Sequence, residues 1–411
     1  MKSIIPFSIF ISLAGCTMPG KDVSQDLVSS PVNLSHALSL VDSMQVEGET
    51  ISYIRIYADA PGYEPVAATG EGIACVDDAG RFMEVLETEI LTYHSSELLP
   101  LARGLTQFLL YMSREDGLWY NFIYTDGSIN TTHQNSQADF GWWAVRGLRG
   151  LAAAYLIFVD RPEYVELMVE VRARIIAADV YIQEAVSHYP EQELTSLGMK
   201  PAWLIKSAPD MNSELLIALT KLHSSGDFDY LETIEKIAEG IIGYQFFSPD
   251  HDLDGMYLCW KNIWHNWGNN QAFSLLKAFT ITSDSTLLKS VIDWGDSFVP
   301  YVIENDFPWE ITLSFSGEYS LKEVPQIAYG IHSLYRGVKL LAEMTGDSVY
   351  AERSEKVFQW FAGENIAAVQ MYQPESGRCY DGIDNSNSVN INSGAESTIE
   401  CLSAIQKRGY F

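Results

Sequence analysis

The sequence is poor in basic residues and in cysteine. Its 411 residues contain 26 Lys plus Arg against 54 Asp plus Glu, so the formal net charge is -28 at pH 7. A nucleic-acid-binding protein needs a dense stripe of Lys and Arg to displace phosphate counterions, so we expect no nucleic-acid partner. Five cysteines in a chain of this length exclude a disulfide-dense scaffold. Whether Cys75, Cys259, Cys379 and Cys401 form one or two bridges or stay as buried thiols is left open.

Motifs for nucleotides, cofactors and metals are also missing. The chain has no Walker loop, no Gly-x-Ser-x-Gly elbow and no dinucleotide fingerprint. His133, His251 and His265 lack the spacing of a zinc site. Residues 250–255 (DHDLDG) have the alternating acids of a calcium loop but lack the acid at the twelfth position of an EF-hand, so an ordinary acidic turn is favoured. We therefore expect no cofactor and no metal.

The amino terminus carries an apolar run, residues 4–13, which ends in the sequence LAGC at residues 13–16. This ending resembles the lipobox of bacterial lipoproteins, which implies cleavage before Cys16 and acylation of that residue. An ordinary secretory signal with a chance cysteine is the alternative. We expect a signal peptide over 1–15, a tether over 16–32 and a body over 33–411, held at a membrane outside the cytoplasm through Cys16. No other stretch has the ~18 apolar residues of a spanning helix.

From residue 34 onward the apolar period is mostly that of an α-helix, and the predicted helices are of two types. Six are rich in small and aromatic residues near their starts: 71–86, 137–158, 210–223, 269–281, 325–344 and 393–405. Five are more charged: 97–112, 162–186, 229–245, 285–302 and 348–361, with 34–43 as a candidate for the sixth. Residues 50–59 alternate apolar and polar side chains, which predicts a short strand or β-hairpin.

Helical hairpins of this size cannot bury their apolar faces alone, so neighbouring hairpins must stack. Six hairpins can close into a ring whose small-residue helices are inner, whose charged helices are outer and whose polar loops gather at one rim. An open solenoid has the same hairpin pattern and is the alternative. We favour a single all-α domain, an (α/α)6 toroid over 33–411, because six units suit closure better than an extended array with capping repeats.

Several segments resemble those of a known group. Residues 378–383 (RCYDGI) and 390–398 (NINSGAEST) resemble the closing motif of six-hairpin (α/α)6 toroid domains found beside bacterial sugar-transferring enzymes and in glycosidase-like proteins. Residues 117–122 (GLWYNF) and 142–148 (WWAVRGL) are similar to the second hairpin of that group, and 268–273 (GNNQAF) would fall in its fourth. The resemblance implies a toroid whose cup, at the starts of the inner helices, handles carbohydrate. It implies no particular reaction, because toroids host hydrolases, lyases, epimerases and binding proteins.

Acidic side chains recur at or near the predicted starts of the inner helices. They are Glu71, Asp77, Asp78, Asp139, Asp210, Asp381 and Glu396. Hydrolysis of a glycosidic bond by the common route needs two carboxyl groups, one to protonate the leaving group and one to activate water or attack carbon. We expect Asp77 or Asp78 to act together with Glu396. Asp139 and Asp381 are the next catalytic candidates.

These acids also have structural explanations. Asp77 and Asp78 lie about 100° apart around a helix, so one can face the cup while Asp78 has Arg81 within reach three residues on. Both can instead stabilise the amino end of the helix. Glu396 can close a capping box with Ser393 as the cap residue.

Aromatic and amide side chains gather in the same loops. Aromatic faces suit the apolar faces of sugar rings, and amides bind hydroxyl groups. The candidate substrate-binding residues are Glu71, Trp119, Trp142, Trp264, Trp267, Asn270, Tyr380 and Asn392. Core packing is the alternative for the tryptophans, and fixing of the loop is the alternative for Asn392. For the cluster Trp260, Trp264 and Trp267 we favour the rim, because the polar residues between them are hard to satisfy in an apolar core.

The leading hypothesis from sequence is a lipid-anchored toroid that acts on an oligosaccharide or polysaccharide as a glycoside hydrolase. A non-catalytic glycan-binding lipoprotein is the second hypothesis, since it needs the aromatic and amide residues but no paired acids. A polysaccharide lyase is the third. We expect few Arg and Lys side chains around the cup, which counts against acidic substrates.

Overall fold

The computed structural model describes residues 29–409. The predicted signal peptide, the predicted lipidation site Cys16 and most of the predicted tether lie outside the described residues. None of the described helices combines the length and the apolar character that crossing a membrane requires. The predicted domain boundary at residue 33 stays a prediction.

Within residues 29–409, a short helix α1 (Ser35–Ser39) precedes six inner helices. They are α2 (Val76–Leu91), α4 (Trp142–Phe158), α6 (Pro209–Ser224), α8 (Gln271–Thr282), α11 (Ala328–Thr345) and α13 (Ala395–Arg408). Each inner helix packs on the next one, and α13 packs on α2. The first and the last inner helices are therefore neighbours. This closure confirms the predicted (α/α)6 toroid and excludes the open solenoid.

Glycine lets the inner helices approach closely. A Cβ atom at Gly80 of α2 would lie 2.3 Å from the carbonyl oxygen of Arg146 in α4, and a Cβ atom at Gly150 would lie 2.8 Å from Cα of Gly80. Cβ atoms do not approach backbone atoms so closely, so this crossing requires glycine on both helices. The small-residue composition of the predicted inner helices has this packing requirement as its physical reason.

The outer wall is more charged, as predicted. Its helices are α3 (Leu99–Met112), α5 (Val165–Val186), α7 (Leu231–Ile242), α9 (Ser285–Asp293), α10 (Val299–Glu304) and α12 (Ser348–Ala362). A π-helical turn, Trp294–Phe298, joins α9 to α10, so these two helices form one outer element. One continuous apolar core lies between the walls, and Cys75, Cys259, Cys379 and Cys401 are buried free thiols.

Short antiparallel strands decorate the ring. They are β1 (Val41–Val46) with β2 (Glu49–Ile54), β3 (Tyr57–Asp59) with β4 (Glu64–Val66), β5 (Ala74–Cys75) with β6 (Phe122–Ile123), β7 (Gln192–Thr195) with β8 (Gly198–Pro201), β9 (Ile263–His265) with β10 (Glu310–Leu313) and β11 (Tyr319–Lys322), β12 (Gln326–Ile327) with β15 (Gly382–Asn385) and β16 (Ser388–Asn390), and β13 (Tyr372–Gln373) with β14 (Arg378–Cys379). The pairs β5–β6 and β12–β15 join loops of different hairpins at the amino ends of inner helices.

The hairpin β1–β2 confirms the β-structure predicted near the amino terminus. It also corrects the prediction of a helix over 34–43. That helix ends at Ser39, and strand β1 begins at Val41. The reason is tertiary, because β1 pairs with β2 along its whole length and β2 packs on α3.

Candidate functional site

The amino ends of α2 and α13 line a cavity of about 430 Å³, which we call the acidic cavity. The charged residues on its wall are Glu71, Asp77, Asp78, Arg81, Arg146, Asp381, Asp384 and Glu396. Five of the acids are candidates from the sequence. Because α2 and α13 are the first and last inner helices, this cavity forms only when the ring is closed.

Asp78 lies in the first turn of α2 and has 2% of its surface exposed. One carboxylate oxygen accepts a hydrogen bond from Arg81 Nη1 at 3.0 Å, and the other accepts one from the thiol of Cys75 at 3.2 Å. Burial raises the pKa of Asp78 to about 7, although the guanidinium of Arg81 opposes the shift. Asp78 is therefore a carboxyl group that can hold a proton near neutral pH.

Asp77, the preceding residue, has a different environment. Its carboxylate accepts hydrogen bonds from Arg146 Nη1 at 2.9 Å and from Asn121 Nδ2 at 2.9 Å. Burial favours the protonated form, but the charges of Arg146 and Arg81 outweigh burial and hold the pKa of Asp77 below its ordinary value. Two adjacent carboxyl groups thus have opposite tendencies to hold a proton, which is the arrangement that acid and base catalysis requires.

Arg81 is the cation that gathers the other acids. Its side chain is 4% exposed and forms ion pairs with Asp78 at 3.0 Å and with Glu396 at 2.9 Å. A third contact, to Glu400, is 3.3 Å long. The guanidinium also lies 4.4 Å from the centre of the Tyr329 ring. Glu396 is the accessible member of the group, since 42% of its side chain is exposed.

Glu396 does not close the capping box that its spacing from Ser393 suggested. Helix α13 begins at Ala395 and its cap residue is Gly394, which has no side chain to bond the helix start. The hydroxyl of Ser393 lies 3.3 Å from the hydroxyl of Thr398 instead. The carboxylate of Glu396 is therefore directed to Arg81 and to the cavity.

Asp381 and Glu71 lie on the same wall. Asp381 accepts hydrogen bonds from the Ser397 hydroxyl at 2.6 Å and from the backbone N–H of Gly394 at 2.7 Å. Burial raises the pKa of Asp381. Glu71 lies in the loop before β5 and not in a helix as predicted, and its carboxylate accepts a hydrogen bond from Asn135 Nδ2 at 2.8 Å.

Two arginines and six acids line the acidic cavity, so cations are present there but few, as expected. Arg81 and Arg146 both line the acidic cavity. Each is paired with acids of the same wall, Arg146 with Asp77 and Arg81 with Asp78 and Glu396. Sequence reasoning missed Arg146, although this residue lies in a predicted helix rich in Gly, Ala, Leu and aromatic residues. An arginine in such a helix must find an acidic partner in the interior.

A second cavity, of about 620 Å³, is lined by Trp142 of α4 and by Trp260 and Trp267 of the loops before α8. We call it the tryptophan cavity. The ring centres of Trp142 and Trp267 are 5.5 Å apart. Arg146 links the two cavities, since its guanidinium lies 4.6 Å from the centre of the Trp142 ring while Nη1 binds Asp77. Two candidate substrate-binding tryptophans thus lie together next to the acids.

Polar residues also line the tryptophan cavity, among them Asp139, Lys206, Asp210 and His265. Asp139 forms an ion pair with Lys206 and does not line the acidic cavity, so the structure separates it from the other acids. Asp210 Oδ2 lies 3.0 Å from Nε2 of His265. Burial lowers the pKa of His265, but the neighbouring Cys259 and Asp210 outweigh burial and raise it to about 11.

Trp119 and Trp264 are not at the rim. They are 1% and 2% exposed, respectively. Trp119 occupies the space that Gly147 leaves open, and Trp264 packs edge-on against Phe298 with 5.3 Å between ring centres. Trp264 is buried although polar residues flank it, because the amide nitrogen of Asn266 donates hydrogen bonds to the carbonyl oxygens of residues 307 and 308 and needs no solvent. Neither ring has a face for a ligand.

Three more candidates lie outside both cavities. Asn270 is fully buried, where its amide donates to Glu214 at 2.8 Å and accepts from Arg336 at 2.6 Å. Tyr380 lines neither cavity. Asn392 bonds to the backbone N–H of residue 60 at 2.9 Å and to Asp59 at 3.0 Å, which matches the loop-fixing alternative.

The fold is shared with solved structures of low sequence identity. The cellobiose 2-epimerase of Spirochaeta thermophila has a TM-score of 0.60 and 11% identity over 86% of this chain and 90% of that one. A sugar epimerase from a ruminal bacterium has a TM-score of 0.60 and 13% identity over 87% and 92%. A family 76 glycoside hydrolase from a bovine Bacteroides thetaiotaomicron strain has a TM-score of 0.56 and 14% identity over 91% and 76%. No protein-family model and no curated protein matches the sequence. The similarity shows the (α/α)6 toroid fold.

Proposed function

We propose that this protein is a lipid-anchored glycoside hydrolase that acts on a neutral oligosaccharide or polysaccharide outside the cytoplasm. The observation that carries the proposal is the pair Asp77 and Asp78, which line one cavity with pKa values shifted in opposite directions. The anchor at Cys16 and the location rest on the amino-terminal sequence alone. Similarity of fold to sugar epimerases and a glycoside hydrolase supports a sugar ligand but no specific reaction.

In the proposed reaction, the protonated carboxyl group of Asp78 gives its proton to the leaving-group oxygen. The ionised carboxylate of Asp77 activates a water molecule or attacks the anomeric carbon. Arg146 keeps Asp77 ionised, and Arg81 holds the Asp78 carboxyl group in place. Glu396 is exposed enough to accept hydrogen bonds from sugar hydroxyl groups.

An uncharged substrate fits the charges of the acidic cavity. Arg81 and Arg146 are already paired with acids, and the acids on the wall outnumber the two arginines. A uronate carboxylate would therefore meet net repulsion. Trp142 and Trp267 offer aromatic faces on which further sugar units can stack. This favours hydrolysis of a neutral glycan over the lyase reaction.

The test is hydrolysis of a panel of neutral oligosaccharides, followed by the appearance of new reducing ends. We expect Asp77→Asn and Asp78→Asn each to lower kcat about 100-fold or more, because each removes a proton-transfer group. Glu396→Gln should act mainly on KM. Asp229→Asn is the matched control, since 93% of the Asp229 side chain is exposed. Full activity in both the Asp77 and Asp78 variants would end the proposal.

A non-catalytic glycan-binding protein is the second candidate. All four carboxylate oxygens of Asp77 and Asp78 already accept hydrogen bonds from protein groups, which is what a purely structural role requires. Binding on a glycan array without turnover, unchanged by the two Asn substitutions, would favour this candidate. Products that absorb in the ultraviolet would indicate a lyase, and an isomerised sugar without new reducing ends would indicate an epimerase.

A further inference from the structure

Asp210, Cys259 and His265 form a buried cluster of groups that can bind a metal ion. Their exposed fractions are 1%, 0% and 7%. One ligand atom from each lies within 4.8 Å of the others. Asp210 and His265 line the tryptophan cavity, whereas none of the three residues is among the acids of the proposed hydrolytic pair.

We propose that this cluster binds a divalent transition-metal ion such as Zn²⁺. The ligands are a carboxylate oxygen of Asp210, the thiolate sulfur of Cys259 and Nε2 of His265. Three protein ligands leave a fourth position open, and the two cavity-lining ligands direct that position to the tryptophan cavity. Sulfur and imidazole ligands select zinc-like ions over calcium and magnesium. The site is independent of the proposed hydrolytic reaction.

The imidazole is oriented as a metal ligand would be. Nδ1 of His265 lies 2.7 Å from the carbonyl oxygen of Trp267, a contact in which Nδ1–H donates, so Nε2 is the nitrogen that can bind an ion once it releases its own proton. The ring also stacks on Trp267 at 3.8 Å between centres, which fixes its rotation. Nε2 lies 3.0 Å from Asp210 Oδ2. Ligand atoms around a tetrahedral zinc ion are roughly 3 to 4 Å apart, so little movement is needed to accommodate one.

The groups around the sulfur atom of Cys259 also favour a metal-bound thiolate. Sγ of Cys259 receives the backbone N–H of His265 at 3.4 Å, and the amide nitrogens of Gln271 and Asn269 approach it at 3.7 and 3.9 Å. N–H groups around a sulfur stabilise a metal-bound thiolate.

Gln271 supplies an independent sign of an absent partner. It is fully buried, and within residues 29–409 its Oε1 atom has no hydrogen-bond donor. An unpaired buried carbonyl oxygen is costly. The nitrogen of the same amide lies 3.7 Å from Sγ of Cys259 and donates to the carbonyl oxygen of Leu258 at 3.4 Å, so the unpaired oxygen belongs to a side chain that contacts the proposed sulfur ligand.

The sequence did not indicate this site, because Asp210 is far from the other two ligands and the spacing of Cys259 and His265 matches no zinc motif. Asp210 is at the start of α6, whereas Cys259 lies between α7 and β9 and His265 ends β9. No short motif spans them. An Asp210–His265 ion pair without a metal is the alternative interpretation of the same contact.

The test uses the full chain, stripped of metal with a chelator and titrated with Co²⁺ as a spectroscopic probe. We expect a single molar equivalent to bind and to produce a thiolate-to-cobalt charge-transfer band in the near ultraviolet. The band should be lost in Cys259→Ser and retained in Cys401→Ser, the matched control, because Cys401 is also buried but lies in α13. His265→Gln should weaken binding at least tenfold.

A second measurement needs no variant. Zn²⁺ should raise the melting temperature of the metal-stripped wild-type chain, because the ion binds the folded state. A cobalt complex without the charge-transfer band, the same band in Cys259→Ser, or an unchanged melting temperature with Zn²⁺ would overturn the proposal in favour of the ion pair. Asp77→Asn should leave the cobalt spectrum unchanged, so the metal site and the hydrolytic pair fail or succeed separately.

Discussion

Replacing Arg81 with methionine should destabilise the protein strongly. Methionine keeps much of the side-chain volume but leaves Asp78 and Glu400, whose side chains are 3% and 7% exposed, without their guanidinium. Removal of one partner from a buried ion pair costs about 3–5 kcal/mol. The contact with Glu396 adds less, because solvent screens a side chain that is 42% exposed. We expect the free energy of unfolding to fall by about 3–5 kcal/mol near neutral pH.

The loss of unfolding free energy caused by Arg81→Met should grow as pH rises. Burial pushes the pKa of Asp78 upward and Arg81 opposes that push, so the folded-state pKa is higher still in the variant. A carboxyl group with a raised folded-state pKa contributes stability that is lost as pH rises through that pKa. The difference between wild type and Arg81→Met should therefore be larger at about pH 8 than at about pH 5.

Urea unfolding followed by tryptophan fluorescence at both pH values measures this difference. Arg114→Met is the matched control, since the Arg114 side chain is 41% exposed and pairs with Asp116 at the surface. The free energy of unfolding should change little in Arg114→Met at both pH values, because solvent screens an exposed ion pair. Equal losses for the two variants, or a loss for Arg81→Met that does not change with pH, would refute the account of the acidic cavity as a network held by one buried cation.

Three further outcomes follow from the structure. In wild type burial raises the pKa of Asp78 to about 7, so the contribution of Asp78 to the free energy of unfolding should decline between about pH 4 and pH 7. Asp78→Asn should remove that contribution from urea unfolding curves, and parallel pH profiles of variant and wild type would contradict this prediction. Gly80→Ala should lower the free energy of unfolding by about 1–3 kcal/mol in the same assay, because the new Cβ atom meets a carbonyl oxygen. Gly62→Ala should lower it little, since the atom nearest to its new Cβ lies at 3.8 Å. Trp267→Ala should weaken calorimetric binding of a neutral oligosaccharide about tenfold while the exposed Phe247→Ala does not, and equal affinities would remove the tryptophan cavity from sugar binding.

The positions of the long helices and the closure of the ring could be predicted because both depend on apolar periodicity. The predicted segment 162–186 contains the observed α5 (Val165–Val186), and 348–361 nearly coincides with α12 (Ser348–Ala362). Closure then brings the starts of all inner helices to one rim, which is why Asp77 and Glu396 share a cavity. The segment 34–43 failed because strand pairing with β2 outweighed its helical pattern.

The directions of side chains in the loops and in the very short strands could not be predicted. Trp264, in the three-residue strand β9, lies in the core, whereas Trp267, in the loop that follows, lines a cavity. In a helix or strand the backbone period sets which side a residue faces, but a loop has no such period. Asn266 could accompany a buried Trp264 because backbone carbonyl groups of a distant segment accept its hydrogen bonds.

The packing of α13 on α2 also determines when the acidic cavity can form during synthesis. Asp77 is synthesised 319 residues before Glu396, so the two sides of the cavity leave the ribosome at different times. Until the final helix docks, the flanks of α2 and α11 are uncovered and the wall that carries Glu396 and Asp381 does not exist. A nascent chain that lacks α13 therefore has no acidic cavity, and any reaction in the cavity can begin only after α13 has packed on α2.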